Sequence, residues 1–205
     1  MTPSTSREKD GAGDLLRVPP EIPLGRIGEC LGRTASPGAL ILLSGAMGTG
    51  KTSLAAGVAR GMGIPSRIAS PTFLYLQDYP SPAGGDAPGL LHADWDRVSP
   101  GAEDLEEALL DGASRRVTMV EWGEKLPRSL VACFPLRLRL GLSIPAEGRG
   151  RCLTLFWESD PPREEEWACV RDSFWNSLAK EEPSLSGPDS ALIRPIRMDP
   201  PREMP

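Results

Sequence analysis

The chain has 205 residues, of which 40% are apolar and 25% charged, with 22 glycines, 22 prolines and a formal net charge of −5. This length accommodates one domain with flanking segments, and the acidic balance disfavours DNA or other nucleic acid bound through a basic surface. No apolar run reaches the roughly 18–20 residues of a membrane span and no secretory signal follows Met1, so we expect a cytoplasmic protein that contacts no membrane.

Predicted helices and short apolar strands alternate along the first part of the chain. Apolar residues at helical spacing predict a helix over residues 21–34, which ends at the Ser-Pro-Gly turn that follows. Ala39–Leu43 is an unbroken apolar run, typical of a strand buried on both faces of a parallel sheet. A glycine-rich turn follows, and then a predicted helix from Lys51 to Met62.

The same alternation continues to about residue 158. A proline- and glycine-rich loop at residues 80–89 interrupts it. The remaining predicted elements are strands at Phe73–Tyr79, Leu90–Ala93 and Val117–Val120, a helix at Glu103–Leu110, and a hairpin of Leu136–Leu142 with Cys152–Trp157. We therefore expect an α/β fold with a mostly parallel central sheet flanked by helices and a late antiparallel hairpin.

The two ends of the chain differ in composition from this region. We predict that residues 1–20 are a flexible N-terminal tail with at most one short edge strand near Leu15–Val18, and that residues 21–158 form the folded domain. Residues 159–205 are rich in proline and glutamate. Their apolar spacing around Trp167 and Phe174 allows one docking helix, which we expect to be followed by disorder.

Gly45–Thr52 reads G-A-M-G-T-G-K-T and matches the complete phosphate-binding loop pattern G-x-x-x-x-G-K-[ST]. It lies between a predicted buried strand and a predicted helix, where the glycines let successive N–H groups point at phosphate oxygens. We expect Lys51 to reach the β- and γ-phosphates and Thr52 to be a Mg²⁺ ligand. The predicted nucleotide-binding residues of this segment are Gly45, Met47, Gly48, Thr49, Gly50, Lys51, Thr52 and Ser53.

The sequence favours ATP over GTP as the nucleotide. Proteins of this class that bind GTP usually read guanine with an N-K-x-D segment. The single asparagine of the chain, Asn176, is followed by serine. We therefore predict a P-loop NTPase-like fold that binds ATP and Mg²⁺.

Two acidic residues end predicted strands near the phosphate-binding loop. Asp94 follows Leu90–Ala93, and Glu121 follows Val117–Val120. Such carboxylates suit two tasks, holding Mg²⁺ and orienting or deprotonating the attacking group. Taken alone, each could instead be a helix N-cap or a surface acid. His92 is more consistent with a structural residue, or with a residue that contacts a metal-binding side chain, than with a metal ligand itself.

Ser70–Phe73 reads S-P-T-F and follows the predicted helix of the loop. The proline fixes one backbone angle, so the neighbouring hydroxyls are presented stiffly. This segment is consistent with a loop that senses phosphate or metal, and equally with a plain turn.

These motifs in this order resemble the bacterial TsaE family, also called YjeE, which are P-loop ATPases required for threonylcarbamoyladenosine modification of tRNA. The resemblance covers residues 20–158. It rests on Gly45–Thr52, the S-P-T-F segment, the strand L-x-H-x-D ending at Asp94, Arg97, and V-E-W-x-E-x-L-P over residues 120–127.

The resemblance implies roles for individual residues. Lys51 and Thr52 would serve phosphate and Mg²⁺, and Thr72 would lie in a switch-like loop near the γ-phosphate. Asp94 would hold the metal, Glu121 would act catalytically at the attacking water together with Lys51 at the phosphates, and Trp122 would lie beside the nucleotide.

The resemblance also implies partners and a function. Family members act with the TsaB and TsaD proteins, so this chain would be a Mg²⁺-dependent ATPase that supports N6-threonylcarbamoyladenosine formation at tRNA position 37. It would reach tRNA through that complex. A P-loop small-molecule kinase is the alternative. Such an enzyme usually closes an arginine-bearing lid over the phosphates, and Arg115 and Arg116 could be offered for it, but they precede a predicted strand instead of capping a lid helix. A nucleotide-binding module without hydrolysis is a third reading.

The chain departs from the family pattern at a few positions. The family's loop commonly reads G-D-L-G-A-G-K-T, whereas this chain has Ala46, Met47 and Thr49. An aromatic residue usually precedes the arginine after the Asp94 position, and here that residue is Asp96. These differences affect contacts beyond the phosphates and local packing.

Overall fold

The computed structural model describes residues 12–65, 68, 75–81, 88–99, 101–111, 113–146, 148–161, 163–185 and 193–197. Eight strands form one sheet: β1 Ala12–Val18, β2 Ala39–Ser44, β3 Leu76–Tyr79, β4 Gly89–Asp94, β5 Arg116–Glu121, β6 Leu136–Ser143, β7 Arg151–Ser159 and β8 Ile193–Arg197. The α-helices are α1 Leu24–Thr34, α2 Lys51–Gly61, α3 Glu103–Asp111, α4 Arg128–Val131 and α5 Glu164–Glu181. Short 3₁₀ turns lie at Gly123–Lys125 and Pro183–Leu185.

The strand order across the sheet is β3-β4-β5-β2-β6-β7-β1-β8. Strands β4, β5, β2 and β6 are parallel neighbours, and the remaining strands extend this centre with antiparallel pairs on both sides. The predicted α/β fold is confirmed, including its parallel centre and the late hairpin of β6 with β7. A parallel centre requires crossover connections, which here are helical.

Burial along the strands follows their place in the sheet. Every residue of β4 is buried, as are the first five residues of β2. In β6 buried leucines alternate with half-buried residues such as Arg137 and Arg139, so one face of that strand is only partly covered. The unbroken apolar run at Ala39–Leu43 predicted this central position correctly.

Helices cover the two faces of the sheet unequally. The larger core packs α1, α2 and α5 against one face, with Ile27, Leu54 and Phe174 fully buried. The smaller core lies under α3 and α4 on the other face and includes Leu109 and Phe134. Within the described part of the chain, no helix combines the length and apolar character needed to cross a bilayer.

The N-terminal boundary differs from the predicted one. Ala12–Val18, which we assigned to a flexible tail, is a strand paired with β7 on one side and β8 on the other. Leu16 is fully buried in the larger core, because every second residue of β1 faces α5 and α1. The strand is interior to the sheet, whereas the sequence suggested at most an edge strand.

The C-terminal extension contains the predicted helix and more. Trp167, Val170, Phe174 and Leu178 form the buried face of α5, as their spacing indicated. Disorder after this helix is contradicted for two segments, because Leu185 is fully buried and Ile193–Arg197 pairs with β1. The strand expected at Phe73–Tyr79 is present from Leu76 onward, and its first residues lie outside the described part.

Candidate functional site

Three parallel strands bring the predicted site residues to one edge of the sheet. Strand β2 leads directly into the phosphate-binding loop, and β5 lies beside it with Glu121 opposite Leu43. Strand β4 lies beside β5, with Asp94 opposite Glu121. Carboxyl ends of parallel strands meet at the same edge, which is where ligands bind in open α/β sheets.

The phosphate-binding loop has a backbone that requires glycine. The φ angles of Gly45, Gly48 and Gly50 are +132°, +78° and +106°. A Cβ atom at Gly45 would also lie 2.2 Å from the carbonyl oxygen of Leu142. Helix α2 begins at Lys51, immediately after the loop. The loop and the start of α2 therefore have the arrangement of a backbone cradle for anions.

Lys51 is buried and its ammonium group points back into the loop. Nζ donates hydrogen bonds to the carbonyl oxygens of Gly45 at 2.7 Å and Ala46 at 3.1 Å. The same Nζ lies 4.0 Å from the centre of the Trp122 ring, within range of a cation–π interaction. The cation is thus held beside the loop, where a phosphate group could replace the carbonyl acceptors.

Thr52, in the first turn of α2, is linked by hydrogen bonds to Glu121 at the end of strand β5. The Thr52 hydroxyl donates to the Glu121 carboxylate, with oxygen distances of 3.0 Å to Oε1 and 3.1 Å to Oε2. Nε2 of His92 lies 3.2 Å from Oε1 of the same carboxylate. Glu121 is 3% exposed and His92 is fully buried. The hydroxyl predicted to bind Mg²⁺ is therefore in contact with Glu121.

Asp94 is buried at the end of the neighbouring strand. Its Oδ1 accepts a hydrogen bond from the Asp96 backbone N–H at 2.9 Å. The Asp96 carboxylate is 2.6 Å from Nζ of Lys125, whose ammonium group also lies 4.9 Å from the centre of the Trp122 ring. The chain segments that follow β4 and β5 are therefore connected by an ion pair beside the site.

A cavity of about 330 Å³ opens between these groups. It is lined by Met47, Gly48, Gly50, Lys51, Thr52, Ser53, Asp94, Asp96, Arg97, Glu121 and Trp122. A second cavity of about 530 Å³ shares Gly50 and Ser53 with the first, and its wall includes the apolar side chains of Ile22 and Leu24. A cavity that carries the charged groups of the site thus adjoins a more apolar one.

Most of the residues predicted for the site line the first cavity together. Gly45 and Thr49 do not line it, and they shape the loop instead: the Thr49 hydroxyl donates to the Ala46 carbonyl at 2.9 Å. Met47 is 83% exposed at the cavity mouth. Thr72 and the rest of the S-P-T-F segment lie outside the described residues.

Sequence reasoning missed Arg151 and the contact made by Lys125. Arg151 begins β7, and its Nε donates to the Thr49 carbonyl at 2.9 Å, which anchors the phosphate-binding loop from 102 residues away. No local pattern marks this arginine, because its contact depends on how β7 lies in the sheet. The sequence signal for the contact made by Lys125 was weak, since it consisted only of a basic residue three positions after Trp122.

The donor groups fit Mg²⁺ bound together with phosphate. No three His, Cys, Asp or Glu side chains are grouped as a metal site among the residues that the structure describes. Mg²⁺ bound with nucleotides usually takes one or two protein oxygens and completes its shell with phosphate oxygens and water. A hydroxyl and a carboxylate in contact, as in Thr52 and Glu121, supply such a partial set.

Comparison with known proteins gives consistent results. The profile of a family described as "Threonylcarbamoyl adenosine biosynthesis protein TsaE" matches residues 21–149. Proteins named "tRNA threonylcarbamoyladenosine biosynthesis protein TsaE" are similar to this chain. That of Streptomyces coelicolor is 38% identical over 119 residues, which are 58% of this chain and 78% of the relative. That of Mycobacterium tuberculosis is 35% identical over 127 residues, which are 58% of this chain and 73% of the relative.

Other relatives are matched over a smaller share of their length. The protein of the same name from Nostoc is 36% identical over 106 residues, and the match spans 49% of this chain and 62% of the relative. The crystal structure of Bacillus subtilis YdiB superposes with a TM-score of 0.56 at 24% identity. It covers 80% of this chain and 95% of that protein, so the two share a fold.

Proposed function

The chain belongs to the TsaE family of threonylcarbamoyladenosine biosynthesis proteins, and on that basis we propose that it is a Mg²⁺-dependent ATPase of tRNA modification. The observation that carries the proposal is the contact between the Thr52 hydroxyl and the Glu121 carboxylate at the mouth of a glycine-rich phosphate loop. Both groups lie beside Lys51 in one cavity. A cation, a hydroxyl and a carboxylate so arranged are the groups that phosphoryl transfer requires.

The loop and Lys51 bind and orient the phosphates in this proposal. Backbone N–H groups at the start of α2 carry partial positive charge, which attracts phosphate oxygens. Lys51 leaves the carbonyls of Gly45 and Ala46 and donates to the β- and γ-phosphates instead. A charge-assisted bond to phosphate is stronger than a bond to a neutral carbonyl, which favours the exchange.

The contact between Thr52 and Glu121 changes the division of tasks that we expected from the resemblance. The Glu121 carboxylate accepts a hydrogen bond from the Thr52 hydroxyl, so we propose that these two residues hold Mg²⁺ together. Asp94, on the next strand and lining the same cavity, then orients the attacking water. When bound, Mg²⁺ would neutralise charge that develops on the phosphate oxygens.

The second cavity supports ATP as the nucleotide. It continues from Gly50 and Ser53 at the loop, and Ile22 and Leu24 give its wall apolar surface. A purine ring offers flat apolar faces that such a wall can cover. We propose that the base lies there, and the absence of an N-K-x-D segment makes adenine the better candidate.

Family membership is also the basis for proposing which proteins this chain acts with. We propose that ATP turnover acts on a complex of the TsaB and TsaD proteins, that tRNA is reached through that complex, and that the chain works in the cytoplasm. The relatives' printed names place those proteins in threonylcarbamoyladenosine biosynthesis.

The geometry does not favour the alternative of a small-molecule kinase. Arg115 and Arg116 were the candidate lid arginines, but Arg116 begins β5 and Glu121 ends it. These arginines therefore lie at the opposite edge of the sheet from the phosphate loop. Arg116 forms an ion pair with Asp78 instead, at 2.7 Å.

Two isosteric variants test the proposed roles. Nucleotide affinity is measured by calorimetry with and without Mg²⁺, and ATP turnover is measured on the full chain mixed with TsaB and TsaD. We expect Glu121→Gln to lose most of the Mg²⁺-dependent gain in affinity. We expect Asp94→Asn to bind Mg²⁺ and ATP normally and to lower turnover by about 10²–10⁴-fold, the usual span of general acid–base catalysis.

The exposed Glu107 on α3 supplies the matched control, because Glu107→Gln removes a carboxylate that does not line the cavity and is expected to change neither measurement. If instead Asp94→Asn lost the Mg²⁺-dependent gain in affinity and Glu121→Gln lowered turnover, the two residues would have the roles expected from the resemblance. Normal Mg²⁺ dependence and normal turnover in both variants would refute the proposed ATPase site.

A further inference from the structure

His92 lies in a position where an apolar side chain would be expected. It is fully buried in β4, between the buried residues Leu91 and Ala93. It is opposite Met119 in the parallel ladder with β5, two residues before the pair of Asp94 with Glu121. Residues two apart on a strand share a face, so the His92 and Glu121 side chains are diagonal neighbours on the face that carries α2.

The hydrogen bonds of the imidazole are incomplete. Nε2 lies 3.2 Å from Oε1 of Glu121. Nδ1 is buried and has no hydrogen-bond partner within the described part of the chain. A carboxylate oxygen accepts hydrogen bonds, so Nε2 is the nitrogen that donates in this contact, and Nδ1 is the nitrogen left without a partner there. Burying a polar nitrogen without a partner is unfavourable, so packing alone does not explain this histidine.

We propose that His92 is a positioning residue for Glu121, acting through the Nε2–H hydrogen bond to Oε1; this inference rests on the proposed function of Glu121. The bond restricts rotation of the carboxylate, which within the described part of the chain also accepts a hydrogen bond from the Thr52 hydroxyl. With His92 in place, the carboxylate stays turned toward Thr52. The imidazole is not among the groups that line the cavity.

Two donors therefore have distinct parts in one chain of hydrogen bonds that meets at the Glu121 carboxylate. Thr52 connects the carboxylate to the phosphate loop, and His92 connects it to the interior of the sheet. The strand ladder of β4 with β5 fixes the distance between His92 and Glu121. Since all three side chains are on rigid elements, removal of one donor leaves the carboxylate free to adopt other rotamers.

The test is a double-mutant cycle on the full chain with TsaB and TsaD, combining His92→Leu with Glu121→Gln. For each variant we measure the Mg²⁺ concentration at half-maximal ATP binding, as well as kcat and KM. His92→Leu should impair the same parameter as Glu121→Gln, by about 10- to 100-fold, the range for a hydrogen bond to a charged group. The double variant should be no worse than Glu121→Gln alone, because His92 acts through that carboxylate.

Two further variants separate positioning from simple packing. The amide nitrogen of glutamine can occupy the place of Nε2, whereas that of asparagine is closer to the place of Nδ1. We expect His92→Gln to retain most of the wild-type value and His92→Asn to behave like His92→Leu. If His92→Leu fails to fold, the comparison of His92→Gln with His92→Asn still tests the inference.

Thr118→Val is the matched control. Thr118 is fully buried on the strand next to His92, and its hydroxyl also has no partner among the described residues, but it faces the other side of the sheet from Glu121. We expect normal Mg²⁺ dependence and turnover from this variant.

The outcomes distinguish the inference from the proposed function beneath it. Additive effects of His92→Leu and Glu121→Gln, or equal behaviour of the glutamine and asparagine variants, would overturn the positioning role while leaving the ATPase site intact. If Glu121→Gln itself changed neither Mg²⁺ dependence nor turnover, the proposed site and this inference would both fail.

Discussion

Lys51 is the residue on which phosphate binding depends most directly. In the structure its ammonium group contacts two backbone carbonyls and the face of the Trp122 ring. These neutral partners hold the ammonium group inside the loop, so little side-chain freedom has to be lost when a phosphate replaces them. The lysine is therefore positioned for binding before the nucleotide arrives.

Lys51→Ala should weaken ATP binding while the glycine-rich backbone remains intact. We expect a loss of about 1.5–3 kcal/mol, the range for a charge-assisted hydrogen bond, measured by calorimetry. Lys180→Ala, which removes an exposed cation from α5, is the control and should bind ATP normally. Unchanged affinity in the Lys51 variant would contradict the assignment of the phosphate-binding loop.

We expect Asp14 to make the stability of the protein depend on pH, which the sequence did not suggest. Burial in β1 raises the pKa of this carboxyl above its usual value, while the charge of Arg171 and a hydrogen bond from Trp175 partly oppose that rise. A raised pKa means that the folded state prefers the protonated acid. The carboxyl therefore destabilises the fold increasingly as pH rises from its unfolded pKa through its folded pKa.

Asp14→Asn should raise the melting temperature at pH 7, because the amide removes the cost of a buried charge and can still accept from Trp175. The difference from wild type should shrink as the pH is lowered toward about 4, the ordinary pKa of aspartate. Thermal unfolding across that pH range measures both. A melting temperature lower than wild type at pH 7 would show that the Arg171 interaction outweighs burial.

At the scale of elements, α1 and α2 approach each other more closely than side chains would allow. A Cβ atom added at Gly28 would lie 2.3 Å from the Leu54 carbonyl oxygen, and one at Gly57 would lie 2.2 Å from the Gly25 carbonyl oxygen. Glycines at the contact let the two backbones touch. This contact helps to fix α2, and with it the start of the phosphate-binding site.

Gly28→Ala should therefore destabilise the fold, although alanine is the better helix former by about 1 kcal/mol. The added methyl group meets backbone and forces the helices apart, and overpacking of this kind costs about 1–3 kcal/mol in the free energy of unfolding. Chemical denaturation provides the measurement. A variant as stable as wild type would mean that the helices can separate at little cost.

The neighbouring Glu29→Ala is the control for that change. Glu29 forms an ion pair at 2.8 Å with Arg60, whose side chain is 52% exposed. Exposed ion pairs contribute about 0–1 kcal/mol, so this variant should remain close to wild type.

At the scale of the molecule, the two ends of the chain complete the sheet. Strand β1 lies between β7 and β8, so the first strand of the chain pairs directly with the last one. Helix α5 covers the sheet on the side of α1, and Leu185 follows it into the larger core. The fold thus extends beyond the region that carries the family motifs.

Leu185→Ala should consequently lower stability by about 2–5 kcal/mol, the usual loss for a fully buried leucine. Ser184→Ala, at the exposed preceding residue, should change it by less than about 0.5 kcal/mol. Thermal or denaturant unfolding compares the two variants. Equal stability of both would show that the segment after α5 contributes little to the fold, in line with the disorder expected from its composition.

The sequence by itself determined the local features of this protein. The apolar run at Ala39–Leu43 and the glycine pattern at Gly45–Thr52 defined a buried strand and a phosphate loop, because both depend on neighbouring residues. The helices α1, α2, α3 and α5 and the hairpin of β6 with β7 followed from periodicity for the same reason. The order of motifs was enough to identify the family.

The tertiary structure alone decided the contacts between distant segments. Pairing of β1 with β7 and β8 joins residues far apart in the chain, and β1 carries no local pattern that marks its partners. Glu121 meets Thr52 and His92, and Arg151 meets Thr49, because of strand order and register in the sheet. Two carboxylates at strand ends look alike in sequence, and only their positions across the sheet show which one reaches the hydroxyl of the phosphate loop.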